Sequence, residues 1–339
     1  MKVLVTGAGG RIGTHLCHLL LAQGHDVRAF GVVDDPNLLA LGPAGAEVVT
    51  GDLERPETLT DAVSGVDAVC HLAAALTTHD VSDDRYVDVN LRGTFNVLEA
   101  ARRGAPDLQR FVYTSSDAVY WSTAATDGPI DETHALLPGT VYGATKVGAE
   151  LLCRSFWQTY GIPFTTMRPT ATANPAELIR ADSVFGRRWF LQSAISWYSA
   201  RVAPSPVETS LLTALLAADD GTEKLFALVN PDGVSSLSSF GDARDAAAGM
   251  RAMIEPAAAI GEAFNIGPAT PHSDRELVEY IGERLGLPVV EIRHAAARPT
   301  WNISSQKAQD RLDYRPTRSV FTMIDEAVAQ LAATGGRPA

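Results

Sequence analysis

The segment M-K-V-L-V-T-G-A-G-G-R-I-G-T-H-L-C-H-L-L-L-A-Q, residues 1–23, decides the fold of this chain. Residues 2–5 form a short β-branched and apolar run, which predicts a strand, and the leucines of residues 14–23 recur at helical spacing. Three glycines stand between the two runs at three-residue spacing: Gly7, Gly10 and Gly13. The segment therefore predicts a strand, a tight turn and a helix.

Each glycine of the turn has its own physical role. Gly7 lets the chain reverse with a positive φ, Gly10 leaves room for a pyrophosphate beside the backbone, and Gly13 lets the helix lie close to the strand. The free N–H groups and the positive end of the helix then face an anion. A glycine triplet also occurs in ordinary loops, but the flanking strand and helix supply the context of a dinucleotide-binding motif.

Composition describes an ordinary globular chain. Hydrophobic residues make up 46% of the 339 residues and charged residues 20%. The net charge of −12 argues against a nucleic-acid binder, because such proteins neutralise phosphates with Lys and Arg. No apolar stretch reaches the length of a membrane span, and the glycines and Arg11 interrupt the first residues too early for a signal peptide. We expect a cytoplasmic protein without membrane contact.

The cysteines and histidines do not indicate a metal site. Cys17, Cys70 and Cys153 are too few and too scattered for a disulfide framework or a Cys-rich metal site, so we interpret them as reduced core residues. His71 and His79 have no second ligand at helical or hairpin spacing and are interpreted as structural.

Strand and helix patterns alternate along the first half of the chain. Further strands are predicted at 26–33, 46–49, 68–72 and 110–114, and helical periodicity covers 86–102 and 142–157. This alternation predicts an α/β fold with a Rossmann doubly wound parallel sheet, whose ligands lie at the carboxyl ends of the strands. We predict a dinucleotide-binding domain over 1–169 plus about 225–253, and a smaller C-terminal α/β substrate-binding domain over about 170–224 and 254–333. Residues 334–339 are predicted to be a frayed tail.

The end of the second strand bears on the choice of cofactor. An acidic residue there binds the adenosine ribose, whereas a nearby Arg accommodates a 2′-phosphate. Gly31, Val32 and Val33 occupy the candidate positions, and we interpret the following Asp34-Asp35-Pro36 as a solvated turn. Because this loop contains no Lys or Arg, we favour NAD, with NADP as the alternative.

Two polar residues each allow two interpretations. Asp52, just past the third strand, either accepts from an adenine amine or caps the helix that begins near Pro56. Asn90 either lies on an exposed helix face or orders the backbone near the active site.

The candidate chemical centre follows the strand 110–114. Ser116 lies at the strand end, and Tyr142 and Lys146, four residues apart, share one helix face. A phenol keeps its proton at neutral pH, with a pKa near ~10, but a close ammonium favours the phenolate. Tyr142 can then exchange a proton with a substrate hydroxyl that Ser116 holds, and Lys146 can also bind the nicotinamide ribose.

The chain resembles an extended short-chain dehydrogenase/reductase of the NAD-dependent epimerase/dehydratase family over nearly its whole length. The matching stretches are T-G-A-G-G-R-I-G at 6–13, G-D-L at 51–53, H-L-A-A at 71–74, Asn90 with Gly93, T-S-S-D-A-V-Y at 114–120, Y-G-A-T-K at 142–146, R-P-T at 168–170, N-I-G at 265–267, S-S-Q-K-A at 304–308 and Y-R-P at 314–316.

The resemblance implies a role for each matching position. Ser116, Tyr142 and Lys146 become the catalytic residues. The cofactor-binding residues become Gly7, Gly10, Arg11, Ile12 and Gly13 at the pyrophosphate, Asp52 and Leu53 near the adenine, Ala73, Ala74 and Pro169 near the nicotinamide, together with Asn90, Tyr142 and Lys146. The resemblance also implies a homodimer through the helices near 86–102 and 142–158.

Departures from the family pattern restrict the reaction. Ala118 stands where relatives that dehydrate or decarboxylate nucleotide sugars carry Glu, which disfavours a dehydratase. Ala171-Thr172-Ala173-Asn174-Pro175 replaces the usual Asn and Tyr-Gly-Pro turn, and a shortened segment follows Arg298, the residue that often grips a diphosphate. These departures affect the predicted binding of the nucleotide half of a nucleotide-sugar substrate.

The stretch 176–206 is dense in aromatic and arginine side chains. It is either a lid that packs on a sugar or base and holds an anion, or a packed helical cap with snorkelling arginines.

We expect a nicotinamide-dependent oxidoreductase that acts on a secondary hydroxyl of a sugar or nucleotide sugar, most simply as an epimerase through a transient keto intermediate. The alternatives are a net dehydrogenase or ketoreductase of a small sugar-like or polyketide-like alcohol, and a non-catalytic dinucleotide sensor.

Overall fold

A computed structural model describes residues 1–77, 81–123, 128–202, 204–297 and 300–334, with the side chains of 121–123 excepted. Three predictions concern residues outside this description: the structural role of His79, the diphosphate contact of Arg298 and the tail at 335–339.

The strands are β1 Lys2–Thr6, β2 Asp26–Gly31, β3 Glu47–Thr50, β4 Ala68–His71, β5 Arg110–Thr114, β6 Phe164–Pro169, β7 Ala171–Ala173, β8 Leu225–Val229, β9 Leu237–Ser238, β10 Phe240–Asp242, β11 Ala263–Ile266, β12 His272–Ser273 and β13 Val289–Arg293.

The α-helices are α1 Arg11–Ala22, α2 Pro36–Leu39, α3 Leu59–Val63, α4 Asp83–Tyr86, α5 Gly93–Gly104, α6 Val141–Tyr160, α7 Pro175–Leu178, α8 Leu191–Ser199, α9 Pro206–Ala218, α10 Ala243–Ala252, α11 Asp274–Leu285, α12 Gln306–Leu312 and α13 Val320–Ala333. A π-helical segment, Val87–Arg92, connects α4 to α5, and 3₁₀ turns occur at Pro56–Thr58, Asp117–Thr123, Gly186–Arg188 and Ala257–Ala259.

Seven of these strands form one parallel sheet in the order β11-β6-β5-β4-β1-β2-β3. The order reverses between β1 and β4, which is the doubly wound arrangement with a switch point at that position. The predicted fold class is confirmed, and the strands predicted at 26–33, 46–49, 68–72 and 110–114 all occur within two residues of their predicted ends.

Both faces of this sheet are buried, as parallel sheets require. Alternate residues of each strand enter opposite layers: Val3 and Val5 pack with α1 and α10, whereas Leu4 packs with α3, α5 and α6. The cysteines are buried in these layers, Cys17 and Cys70 in the first and Cys153 in the second. Burial raises the pKa of the Cys17 thiol to about 12, so it stays protonated.

The chain forms two compact units. The first comprises residues 1–172, 243–267 and 303–316, and it contains the seven-stranded sheet. The second comprises 173–242, 268–302 and 317–339.

Three segments differ from the predicted domain assignment: residues 225–242 lie in the second unit, and residues 254–267 and 303–316 lie in the first. The first of these segments contains strand β8, which pairs in parallel with β13 and not with a strand of the large sheet. Conversely, β11, which was assigned to the substrate domain, pairs with β6 as the edge strand of the large sheet. Local periodicity predicts a strand correctly but contains no information on its partner, because pairing is decided by contacts distant in sequence.

The stretch 176–206 belongs to the second unit and packs mainly as a helical cap. Phe185, Trp189 and Phe190 are buried, and the Trp189 indole donates to the Leu178 carbonyl. The arginines lie over rings or pair with carboxylates: Arg187 over Trp197, Arg188 over Phe240, and Arg180 with Asp182. These contacts all lie within the second unit, and they are those of a packed helical cap.

No helix in the described ranges is both long and apolar enough to span a membrane.

Substitution of Gly7 tests the close approach at the switch point. Gly7 has φ +68°, and a Cβ there would lie 2.8 Å from the Ala73 backbone nitrogen. Gly24 has a similar φ of +79° with open space around it. We expect Gly24→Ala to lower the free energy of unfolding by about 1–2 kcal/mol, the penalty of a left-handed L-residue. Gly7→Ala should lose clearly more in denaturant unfolding, and equal losses would contradict the close approach.

Candidate functional site

The carboxyl ends of β1 and β4 form a narrow cradle. A Cβ on Gly13 would overlap the Gly7 carbonyl, and α1 begins directly after Gly10 without a side-chain cap. The first N–H groups of α1, those of Arg11 and Ile12 among them, are therefore the positive end of a twelve-residue helix. The five residues predicted to bind the pyrophosphate therefore lie together in this turn and the first turn of α1. The Ala73 backbone packs against Gly7.

His71 links β1 to α5 next to this cradle. Its ring lies between two hydroxyls, with Nδ1 2.7 Å from Thr6 Oγ1 and Nε2 3.0 Å from Thr94 Oγ1. Burial lowers the pKa of His71 to about 3, and Lys146 adds to this effect, so the ring is neutral at physiological pH. The prediction of a structural histidine agrees with this environment.

Asp35 reaches the cradle from the end of β2. Its Oδ1 accepts from the N–H groups of Asn37 and Leu38 and so caps α2. A Cβ on Gly9 would collide with the Asp35 carboxylate, so this carboxylate lies directly against the glycine turn. The interpretation as a solvated turn is therefore wrong for Asp35. The turn at Asp34, with φ +64°, redirects the chain, and a strand pattern alone does not reveal this geometry.

Asp52 makes a local turn contact. Its Oδ1 accepts from the N–H of Glu54, and the turn that begins at Pro56 follows Arg55 instead. The helix-cap interpretation is therefore wrong, and the adenine contact stays a prediction. The Leu53 side chain is buried in the core, and its carbonyl accepts from the Asn96 amide.

Asn90 orders buried backbone. Its Oδ1 accepts from the Ala75 N–H at 2.8 Å, and its Nδ2 donates to the Ala75 carbonyl at 3.0 Å. The side chain is 1% exposed, so the exposed-face interpretation is wrong. The π-helical segment 87–92 places Asn90 beneath the residues that follow β4, directly after Ala73 and Ala74.

Ser116, Tyr142 and Lys146 are all buried in the first unit. Helix α6 presents Tyr142 and Lys146 on one face, and Thr140 caps the helix by accepting from the Gly143 N–H. The Lys146 Nζ donates to the Thr114 carbonyl at the end of β5, at 2.9 Å, and lies 5.7 Å from the centroid of the Tyr142 ring. The Ser116 hydroxyl accepts from the Ala118 N–H and lies 3.2 Å from Asp117 Oδ1.

Burial sets the protonation of this group. It raises the pKa of Tyr142 to about 12, against the effect of a hydrogen bond with Ser116. It lowers the pKa of Lys146 to about 7, against the effect of Glu150. Without a ligand, the site therefore holds a protonated phenol beside an amine that titrates near neutral pH, an arrangement typical of proton-transfer sites.

Several hydroxyls at the same edge have no partner among the described residues. Those of Thr114, Ser115 and Thr170 are buried without a hydrogen bond. Thr114 ends β5, and Thr170 follows Pro169, the last residue of β6. Buried hydroxyls are normally satisfied, so this edge has the polar capacity to bind a ligand.

Comparisons with known proteins identify the family of the chain. The model of the NAD dependent epimerase/dehydratase family matches residues 3–267. A UDP-glucose 4-epimerase of Corynebacterium glutamicum is 27% identical over 99% of this chain and 98% of its own length. A dTDP-glucose 4,6-dehydratase of an Actinoplanes species is 28% identical over 97% of each chain. The crystal structure of a short-chain dehydrogenase/reductase superfamily protein from Agrobacterium tumefaciens, with bound NAD, superposes with a TM-score of 0.88 at 29% identity over 99% of each chain.

Replacement of Asn90 tests its backbone role. Asn90→Leu leaves both the N–H and the carbonyl of Ala75 buried and unpaired, so we expect it to lower the free energy of unfolding by about 2–4 kcal/mol. Asn96→Leu, the matched control on α5, leaves one carbonyl unpaired and should lose about half as much. Denaturant unfolding of the two variants measures the difference, and a smaller loss for Asn90→Leu would refute the assignment.

Proposed function

Because the chain belongs to the NAD dependent epimerase/dehydratase family, we propose that it is an epimerase that oxidises and then re-reduces a secondary hydroxyl of a sugar or nucleotide sugar. The observation that carries this proposal is the buried group of Ser116, Tyr142 and Lys146 beside the glycine cradle. A binding protein needs the cradle, but it has no use for a buried phenol and amine with displaced pKa values.

The residues of the cradle fit NAD. Gly7 and Gly13 let neighbouring backbone pack closely where a Cβ would collide, Gly10 is exposed and has no side chain, and the uncapped start of α1 supplies N–H groups for the pyrophosphate. Asp35 supplies a carboxylate for the adenosine ribose, and the unpaired hydroxyls of Thr114 and Thr170 supply polar groups near Pro169. Bound here, NAD would supply the acceptor and donor of the hydride, and epimerisation requires that the hydride return to the opposite face of the keto intermediate.

Proton transfer is the task of the chain's own side chains. Tyr142 first releases its own proton to solvent, and the charge of Lys146 favours the phenolate that this leaves. Ser116 holds the substrate oxygen, and the Tyr142 phenolate accepts the hydroxyl proton as the carbonyl forms. Return of the same proton from Tyr142 accompanies reduction, so an epimerase needs no further acid or base after oxidation.

Ala118 favours epimerisation over dehydration. Elimination after oxidation needs an additional positioned acid or base. Ala118 instead packs by its methyl group against the cluster of Ala75, Tyr86 and Tyr142. The choice rests on Ala118, because the C. glutamicum UDP-glucose 4-epimerase and the Actinoplanes dehydratase are about equally similar to this chain. The similarity to the epimerase suggests UDP-glucose as the first substrate to test.

The predicted homodimer has support from exposed apolar side chains on the two helices concerned. Val87 and Phe95 are 43% and 39% exposed on the segment from α4 to α5, and Leu151 and Tyr160 are 58% and 54% exposed on α6. Association of these faces in a second copy would bury them.

Tyr142→Phe tests the proton transfer. We expect a loss of about 10²–10⁴-fold in the rate of C4 epimerisation of UDP-glucose, with NAD affinity retained, because the ring stays and the proton acceptor goes. Tyr86→Phe is the matched control, since its ring contacts that of Tyr142 edge-on at 5.7 Å. Product analysis measures epimerisation, and the absorbance of reduced nicotinamide measures net redox.

The same assay separates the alternatives. Steady accumulation of reduced nicotinamide with substrate would identify a net dehydrogenase in place of an epimerase. Unchanged activity in Tyr142→Phe would remove the proposed catalytic role altogether.

Asp35→Asn tests the ribose contact. Asn still caps α2 but removes the negative charge that opposes a 2′-phosphate, so we expect the preference for NAD over NADP to fall by about tenfold or more. Asp34→Asn is the matched control, because Asn tolerates the left-handed conformation and removes a neighbouring charge. Titration calorimetry with both cofactors measures the ratio, and equal effects of the two variants would exclude a specific role of Asp35.

A further inference from the structure

A buried ion pair lies one helical turn beyond Lys146. Arg168 on β6 grips Glu150 on α6 with two hydrogen bonds, Nε to Oε1 at 3.0 Å and Nη2 to Oε2 at 2.7 Å. The two side chains are 6% and 10% exposed. A bidentate pair of this kind fixes the position and orientation of the carboxylate.

The remaining donor of Arg168 extends the pair into a network. Its Nη1 donates to the Tyr120 hydroxyl at 2.6 Å, which in turn donates to Asn265 Oδ1 at 3.0 Å. The Asn265 N–H then donates to Glu132 at 2.6 Å. The orientation of Glu150 is therefore held from β6, from β11 and from the segment after β5.

Glu150 and Lys146 lie four residues apart on α6, which puts them on the same face of the helix. The Lys146 ammonium is 3% exposed and donates to the Thr114 carbonyl, which is a dipole and not a counter-charge. The titratable groups around it on other elements are His71 on β4 and Tyr113 on β5, both buried and neutral at pH 7. Tyr142, on its own helix, also holds its proton.

Glu150 is therefore the anion that opposes the desolvation of Lys146. The influence of Glu150 on the pKa of Lys146 is upward although Arg168 pairs with the carboxylate. Replacing a buried ion pair by apolar residues is often neutral for stability, so stability alone does not account for two charges here.

We propose that Glu150, clamped by Arg168, is a positioning residue that favours the ammonium form of Lys146 and so sets the pH range of the proton transfer. This inference rests on the proposed function for its consequence in catalysis, whereas its electrostatic part concerns Lys146 alone.

The chain's composition allows a direct test. It contains only four lysines, Lys2, Lys146, Lys224 and Lys307, so ¹³C NMR of lysine-labelled full-length protein resolves each one. The resonance that disappears in Lys146→Arg assigns Lys146, and the other three serve as internal references. In Glu150→Gln we expect the pKa of Lys146 to fall by about one unit, because the opposing charge is gone.

Two further variants make the test specific. Glu132→Gln removes a carboxylate from the same network without removing the charge that faces Lys146, so it should leave the Lys146 titration unchanged. If Glu150→Gln does not fold, Glu150→Gln with Arg168→Gln removes both buried charges together. A smaller downward shift is then expected, because loss of the Arg168 cation partly offsets loss of the carboxylate.

The pH profile of activity gives the second readout. A lower pKa means that the ammonium is lost at lower pH, so the alkaline limb of kcat for Glu150→Gln should move to lower pH while the acid side stays near the parent's. A purely structural role would reduce kcat equally at every pH.

An unchanged Lys146 pKa in Glu150→Gln, or an equal shift in Glu132→Gln, would overturn the inference. If the NMR shift occurs but Tyr142→Phe keeps full activity, the electrostatic coupling stands and the proposed function fails. The two conclusions are thus separable.

Discussion

The site depends on the parallel register at the centre of the large sheet. Thr6 of β1 is level with His71 of β4, and His71 is level with Tyr113 of β5. Because parallel strands end at one edge, this register brings the glycine turn, the Ala73 backbone and the Thr114 carbonyl to the same level. His71 reinforces it, since its two nitrogens tie β1 to α5 through hydroxyls and its low pKa keeps a charge out of the core. The cradle and the Lys146 contact both follow from this one alignment.

Sequence patterns predicted what depends on local chemistry. The strand, turn and helix of 1–23 and the spacing of Tyr142 and Lys146 have short-range signals, since periodicity and glycine placement act within a few residues. The partner of β8, the contact of Asp35 with Gly9 and the buried amide of Asn90 depend on residues distant in sequence, and no periodicity reveals them. Glu150 had a usable signal, because it follows Lys146 by four residues on a helix that was correctly predicted. Its partner on β6 could be known only after folding.

Burial shifts the pKa values of the two residues proposed for proton transfer in opposite directions. Desolvation raises the pKa of Tyr142 and so keeps the phenol protonated. It also lowers the pKa of Lys146 to a value close to neutrality. A lysine without a counter-charge at this depth would lose its proton and its effect on the phenolate. The proposed role of Glu150 and Arg168 would account for two buried charges at a place where apolar residues are often as stable. The network that fixes them joins α6 to β6 and β11, so the protonation of the site is coupled to the packing of one side of the sheet.

Ala118, the residue before the Val119-Tyr120 pair, bears on whether elimination can follow oxidation of the substrate. At position 118 a methyl group packs against the rings of Tyr86 and Tyr142, while the Ala118 carbonyl lies where a Cβ on Gly143 would meet it at 2.8 Å. This close packing fixes the backbone of 116–118 against the start of α6, and with it the position of the Ser116 hydroxyl. A carboxylate in place of the methyl group would be buried beside a phenol whose ionisation it would oppose. The apolar residue is thus consistent with the proposal that Tyr142 serves as acid and base in both half-reactions of an epimerase.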